Sequence, residues 1–137
     1  VIATDIDTDA LAKARKGIYP QEQVRKLDEA RVKRFFQKGT GNHIGLARVR
    51  PEVSALVEFM PLNLLAPQWP IKGPFDAIFC RNVMIYFDKE TQAKILKRFA
   101  PLMKQDGLLF AGHSENFSYI SDAFKLRGQT VYTLANK

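Results

Sequence analysis

One cysteine, Cys80, and two histidines, His43 and His113, are all that 137 residues offer of the nitrogen and sulfur metal ligands. A lone cysteine closes no internal disulfide, so a disulfide-built scaffold is excluded and a reducing compartment, the cytoplasm, is expected. Three such ligands fall short of a zinc site by count, and no metal is expected. Long apolar runs are missing as well: no stretch of about 18 uncharged apolar residues exists, which excludes a membrane-spanning helix and direct membrane insertion. Neither a Walker loop nor G-x-G-x-x-G occurs, and K-G-T-G-N, residues 38–42, follows a helical pattern, the wrong context for a phosphate cradle. There is no G-x-S-x-G elbow either. His113, Ser114 and Glu115, read as adjacent strand residues, point to alternate faces and cannot serve as nucleophile, base and orienter. At Val1 both an initiator Met and a signal peptide's basic start are wanting, so the sequence reads as a piece cut from a longer protein.

What is present is ordinary for one globular domain, with 46% apolar and 26% charged residues. Twenty-one Lys and Arg against fourteen Asp and Glu leave a net charge of +7, which favours an anionic partner. Val1, Ile2 and Thr4 are β-branched and predict the end of a buried strand running into Asp5 and Asp7. Asp7 or Thr8 then caps a short helix through Leu11, Ala14 and Arg15, stopped by Gly17 and Pro20. A second helix, capped near Asp28, places Val32, Phe35 and Phe36 inward and Arg31, Lys33 and Arg34 outward. Gly39 and Gly41 around Thr40 call for a loop with freely chosen backbone angles. Alternation over Leu46–Arg50, and again through Val53, Ala55, Val57 and Phe59 after Pro51, predicts two neighbouring strands in a hairpin, a small β unit set between α/β segments as an insertion.

From Pro74 the pattern is α/β. F-D-A-I-F-C reads as a strand, R-N-V-M-I-Y-F as a loop, and Asp88 opens a helix with Ile95, Leu96, Phe99 and Leu102 inward. The turn K-Q-D-G leads to a strand L-L-F-A-G. Strand, crossover helix, strand predicts a parallel sheet. The tail, with Phe124 and Leu126 before R-G-Q and Val131, Tyr132 and Leu134 after it, predicts a closing antiparallel hairpin.

In open parallel sheets ligands bind beyond the carboxyl ends of the strands, where an acid can hold ribose hydroxyls. Asp5 is placed for that role; equally, Asp5 and Asp7 can serve only to shape a turn and cap a helix. Asn63, between apolar neighbours, can read an adenine edge through its amide donor and acceptor, or bond only its own backbone. Arg81 and Asn82 emerge at the carboxyl edge of the next strand, with Tyr86 half a loop away, where packing alone is a sufficient reason for a Tyr. The basic helix over Arg31–Lys38 and the strand bearing Arg48 and Arg50 can supply phosphate contacts, but no stacking aromatics are interleaved with them if Phe35 and Phe36 are core, and nucleic acid is not the expected partner.

Taken together, D-I-D, N-L-L, F-D-A-I-F-C-R-N-V-M-I-Y-F, K-Q-D-G-L-L-F-A-G-H-S-E-N-F and L-R-G-Q-T-V-Y resemble the chemotaxis receptor methyltransferases, the CheR-type enzymes, from Val1 to about Leu134. The resemblance implies a Rossmann-like class I methyltransferase sheet, incomplete at its N-terminal side, over residues 1–37 and 60–137. It implies a small antiparallel β-subdomain inserted over 38–59 that docks a receptor's C-terminal pentapeptide by strand addition. S-adenosylmethionine is the implied cofactor, S-adenosylhomocysteine the product, and chemoreceptor glutamates in cytoplasmic helices the substrate. Asp5 resembles the family's ribose-binding acid, with Ile6 beside it. Asn63 and Leu64 match the pair at the adenine, Arg81 and Asn82 the pair lining the cofactor site, and Tyr86 the tyrosine next to methyl transfer, so that Tyr86 and Arg81 stand as catalytic. Gly39, Gly41 and Arg48 match peptide-contacting positions. Lys38 stands where the family usually has Arg, which puts a bidentate grip on a peptide carboxylate in question. The family's Gly-rich G-x-x-x-G-E-E loop and helical N-terminal domain are not in the sequence. A monomer is expected, and the competing reading is a non-catalytic module that binds receptor tails.

Overall fold

The computed structural model describes residues 1–117 and 120–135. They fall into two compact units, Val1–Trp69 and Pro70–Lys137.

In the first unit, β1 (Ile2–Asp5) pairs in parallel with β5 (Glu58–Pro61), Ile2 opposite Glu58 and Asp5 opposite Pro61. The expected strand is there, but it is not buried: Val1 is 86% exposed, and among the described residues β1 is hydrogen-bonded to β5 alone. Helix α1 (Thr8–Lys16) begins at Asp7, whose Oδ1 accepts the N–H groups of Asp9 and Ala10. Asp7, rather than Thr8, is therefore the cap, satisfying donors the first turn leaves unpaired. Gly17 ends the helix at φ 64°, a left-handed conformation that costs glycine little, and donates its N–H to the Lys13 carbonyl. Leu11 is the buried residue of this helix.

A three-stranded antiparallel sheet follows, in the order β2 (Ile18–Pro20), β4 (Leu46–Val49), β3 (Phe36–Lys38). Two short helices, α2 (Gln21–Val24) and α3 (Glu29–Phe35), connect β2 to β3, and Asp28 caps α3 by accepting the Arg31 N–H. Phe35 is not core as the periodicity predicts. It is partly exposed, with the Arg34 guanidinium 5.3 Å from its ring centroid, because α3 is too short to wrap a full apolar stripe around an interior.

The second strand expected after Pro51 is corrected by the structure. Pro51–Ser54 form a helical turn, α4, with Pro51 at its first position, and Glu58–Pro61 leave the small sheet to pair with β1. Proline's fixed φ and missing N–H suit a helix start and disfavour a ladder position, which alternation of apolar residues does not register. The two glycines of the K-G-T-G loop also differ in kind. Gly41 has φ 58°, as free backbone angles require, whereas Gly39 is needed for space, since a Cβ there would collide with the His43 carbonyl oxygen.

The second unit is a four-stranded sheet in the order β6 (Phe75–Cys80), β7 (Met103–Ala111), β9 (Val131–Leu134), β8 (Phe124–Gly128). Strands β6 and β7 are parallel and are connected through α5 (Lys89–Phe99), while β8 and β9 close the sheet as an antiparallel hairpin, both as expected. Helix α5 buries Ile95, Leu96 and Phe99, with Leu102 half-buried in the turn that follows. K-Q-D-G is not a turn before the strand but part of it. Phe75 pairs with Met103 and Ala77 with Leu108, so the extra residues of β7 are taken up as a bulge. At that bulge Lys104 Nζ lies 2.7 Å from Asp76 Oδ1, a contact that lowers the aspartate's pKa and raises the lysine's. The pair is exposed and contributes little to stability. What it does contribute on the aspartate side is present above the ordinary carboxylate pKa and is lost as pH falls through the lowered one.

Candidate functional site

Each unit presents a set of the expected residues at the carboxyl edge of its parallel strands. In the first, the register places Asp5 beside Pro61, and the Leu62 N–H donates to the Asp5 carbonyl at 3.0 Å. The two chains therefore leave β1 and β5 side by side, Asp5 and Ile6 on one, Asn63 and Leu64 on the other. Both polar side chains are exposed and each makes a local bond. Asp5 Oδ1 accepts the Asp7 N–H at 3.0 Å, and Asn63 Oδ1 accepts the Leu65 N–H at 2.9 Å. The turn-forming roles are thus real, but each uses one atom. Asp5 Oδ2, a pure acceptor, and Asn63 Nδ2, a donor, make no hydrogen bond among the described residues. An acceptor suited to ribose hydroxyls and a donor suited to an adenine ring nitrogen thus stand at one sheet edge, which fits an adenosyl group.

In the second unit β6 ends at Cys80, and Arg81 and Asn82 follow directly, both exposed. Asn82 has φ 60°, the one non-glycine residue with positive φ among those described, and asparagine is one of the few residues that tolerates it. Met84–Tyr86 form a 3-10 turn with Met84 fully buried. Tyr86 is 81% exposed, so the packing explanation for a tyrosine at this position fails. Gln92 Nε2 donates to the Phe87 carbonyl at 2.8 Å, and Asp88 Oδ1 accepts the Thr91 N–H, tying the end of the loop to α5.

The largest residue missed by the sequence reading is Glu115. It is 7% exposed, and its carboxylate accepts three backbone N–H groups: Gly112 at 2.7 Å and Asn82 at 3.0 Å on Oε1, Met84 at 2.9 Å on Oε2. His113 and Ser114 stand exposed in a turn after β7, not in a strand. The rejection of a hydrolytic set therefore holds for a different reason, since the Glu115 oxygens are occupied by backbone. No sequence signal marked it: H-S-E-N reads as a polar stretch, and only the structure shows Glu115 buried, where a carboxylate has to find donors.

Cys80 is buried beneath this loop. Removal from water, with a smaller contribution from the Glu115 charge, pushes its thiol up to about 12. Its folded pKa lies above that of an unfolded thiol, about 9, so the contribution is fully present below that pH and is lost as pH rises from 9 through 12. Treatment with iodoacetamide at pH 8 is expected to leave Cys80 unmodified in the native protein and to alkylate it in denaturant, read by peptide mass spectrometry. Equal labelling in both would refute the burial.

The third set lies on the three-stranded sheet. Lys38 ends β3 opposite Ala47, and Arg48 opposes Gln37, with its Nε and Nη2 donating to Gln37 Oε1 at 3.2 and 2.6 Å. Lys38 also lines a cavity of about 500 Å³ shared by α2, α3, β3 and β4, where Val24, Val32 and Phe36 are apolar and Arg25, Lys33 and Arg50 basic. Among the described residues no cluster of metal-ligating side chains occurs, and no helix is long and apolar enough to cross a membrane.

A mixed α/β chain with polar residues beyond the ends of its parallel strands has the arrangement in which open α/β sheets bind ligands. Residues 1–133 match the family described as "CheR methyltransferase, SAM binding domain", and the chain belongs to that family. It is 62% identical over 135 residues to the chemotaxis protein methyltransferase of Escherichia coli strain K12, an overlap of 98% of this chain and 47% of that protein. Against the chemotaxis protein methyltransferase of Klebsiella aerogenes the identity is 63% over 137 residues, 100% of this chain and 47% of the other. Chemotaxis protein methyltransferase 2 of Pseudomonas aeruginosa is 52% identical over 135 residues, 98% and 48%. The chain thus spans about half the length of the curated relatives it matches.

Proposed function

We propose that this chain is the cofactor-binding and receptor-docking portion of a cytoplasmic protein-glutamate O-methyltransferase of bacterial chemotaxis, built on a Rossmann-like class I methyltransferase fold. The observation that carries the reading is that Asp5 ends β1 and Asn63 follows two residues after Pro61, the register partner of Asp5, ends β5, Asp5 and Asn63 each with one polar atom left for a ligand. S-adenosylmethionine, when bound, supplies an electrophilic methyl group that passes to a receptor glutamate as a methyl ester, leaving S-adenosylhomocysteine. Asp5 would hold the ribose with Ile6 alongside, Asn63 and Leu64 the adenine, and Arg81 and Asn82 the remainder of the cofactor site. Tyr86 would orient the reacting groups. A glutamate is already ionised at neutral pH, so the chain needs to supply no general base. Its task is alignment and exclusion of water, where good positioning is worth on the order of 7–11 kcal/mol of the barrier.

Receptor docking is assigned to the three-stranded sheet. Strand β3 is an edge, paired only with β4 among the described residues, and an edge accepts a further strand through backbone bonds. Lys38, Gly39 and Gly41 line that edge and the loop leaving it, and Arg48 faces it across the sheet from β4. The excess of basic residues suits acidic receptor helices and an anionic tail, with steering that weakens in salt.

The test is labelled-methyl transfer from S-adenosylmethionine to receptor by the full-length protein, with calorimetric titration of S-adenosylhomocysteine and of a receptor-tail pentapeptide. Methyl transfer with both ligands bound is the expected result. Peptide binding without methyl transfer or cofactor binding would replace the enzyme with a docking module.

A further inference from the structure

Glu115 is joined to the R-N-V-M segment across a separation of 31 to 33 residues by hydrogen bonds that involve no side chain of that segment. Its two oxygens meet three backbone donors at 2.7 to 3.0 Å. Hydrogen bonds to an ionised acceptor are the stronger kind, and here those from Met84 and Gly112 are buried and that from Asn82 is partly buried. The loop bearing Glu115 is itself held firmly. The Glu115 N–H donates to the Gly112 carbonyl at 3.1 Å, the Phe117 N–H donates to the Tyr132 hydroxyl at 3.0 Å, and the Phe117 and Tyr132 rings lie 5.3 Å apart, both buried. On the receiving side Asn82 is in the left-handed region, uncommon for a residue other than glycine although asparagine tolerates it, and its N–H is one of the three that Glu115 holds. Two of the three captured N–H groups, those of Asn82 and Met84, bracket Val83, where the chain turns, and Arg81 directly precedes them.

We propose that Glu115 is a positioning residue that sets the backbone of residues 81–84 and thereby aims Arg81 and Asn82. It touches no substrate itself. The second half of this inference, that the aiming serves the cofactor, rests on the function proposed above; the first half, that Glu115 holds the loop, does not.

Glu115→Gln keeps size and shape but turns one acceptor into a donor. With the amide oxygen facing the Asn82 and Gly112 N–H groups, the new NH2 opposes the Met84 N–H. In the full-length protein, amide exchange at Asn82–Met84, measured without ligand by NMR or mass spectrometry, is expected to quicken about tenfold or more. Affinity for S-adenosylhomocysteine is expected to fall by about the same factor, while affinity for the receptor-tail peptide stays at the wild-type value. Unchanged exchange in a folded Glu115→Gln protein would overturn the proposal. So would equal losses of both affinities, which would mean general destabilisation rather than positioning. If exchange quickens but the wild type itself binds no S-adenosylhomocysteine, the assigned function fails while the backbone clamp stands. Glu115→Ala removes the carboxylate outright. If that variant does not fold, Glu115→Gln alone carries the decision.

Discussion

Asp5→Asn in the full-length protein is expected to fold as the wild type does and to lose roughly 100-fold in methyl transfer at sub-saturating S-adenosylmethionine, about 3 kcal/mol. The substitution is chosen because Asp5 has two roles. Its Oδ1 shapes the turn into α1 by accepting the Asp7 N–H, and asparagine keeps that acceptor. What asparagine removes is the charge and the second acceptor, the features that suit a pair of ribose hydroxyls. A turn-only role predicts wild-type rates for Asp5→Asn and a loss only in Asp5→Ala. Rate assays on both variants, with circular dichroism as the folding control, therefore separate the cofactor role from the local one. A wild-type rate for Asp5→Asn would remove Asp5 from the site.

The second large effect is expected at Gly112. A Cβ placed there would sit 2.5 Å from Asn82 Oδ1, 3.0 Å from the Asn82 backbone nitrogen and 3.0 Å from Glu115 Oε1. The amide oxygen can swing aside, but the backbone nitrogen and the carboxylate are bound to each other and cannot both give way. Gly112→Ala should cost about 2 kcal/mol through overpacking, a fall in Tm of roughly 5–10 °C. Gly128→Ala is the control, because a Cβ at Gly128 meets nothing within 4 Å and should change stability by no more than about 0.5 kcal/mol. Equal melting temperatures for the two variants would show that the contact at Gly112 is not rigid.

Much of the second unit was legible in the sequence because its signals are local. An apolar run marked β6, an Asp88 cap with apolar residues at helical spacing marked α5, and two short apolar runs around R-G-Q marked the closing hairpin. The errors fell where a distant partner decides the outcome. Val57–Phe59 alternates like a hairpin strand, yet residues 58–61 pair with a strand at the start of the chain, and alternation says nothing about which partner a strand takes. K-Q-D-G carries good turn residues, yet it lies in a bulged strand because β6 offers pairing on both sides of it. Asp5, Arg81 and Asn82 were readable as polar residues at strand ends, which is where the structure has them. Glu115 was not, because a side chain whose task is to hold backbone leaves no spacing pattern of its own.

The pairing of β1 with β5 also orders events in time. Ile2 has Glu58 as its neighbour, so in synthesis β1 leaves the ribosome long before the strand that will pair with it has been made. During that interval its N–H and C=O groups and the β-branched Ile2 and Thr4 are open to any passing edge. The intervening three-stranded sheet shortens that exposure in space, if not in time. Once Ile18, Phe36 and Leu46–Val49 have come together, the flexible span that must close to bring β5 to β1 is far shorter than the chain between them, and the entropy cost of closing it falls accordingly.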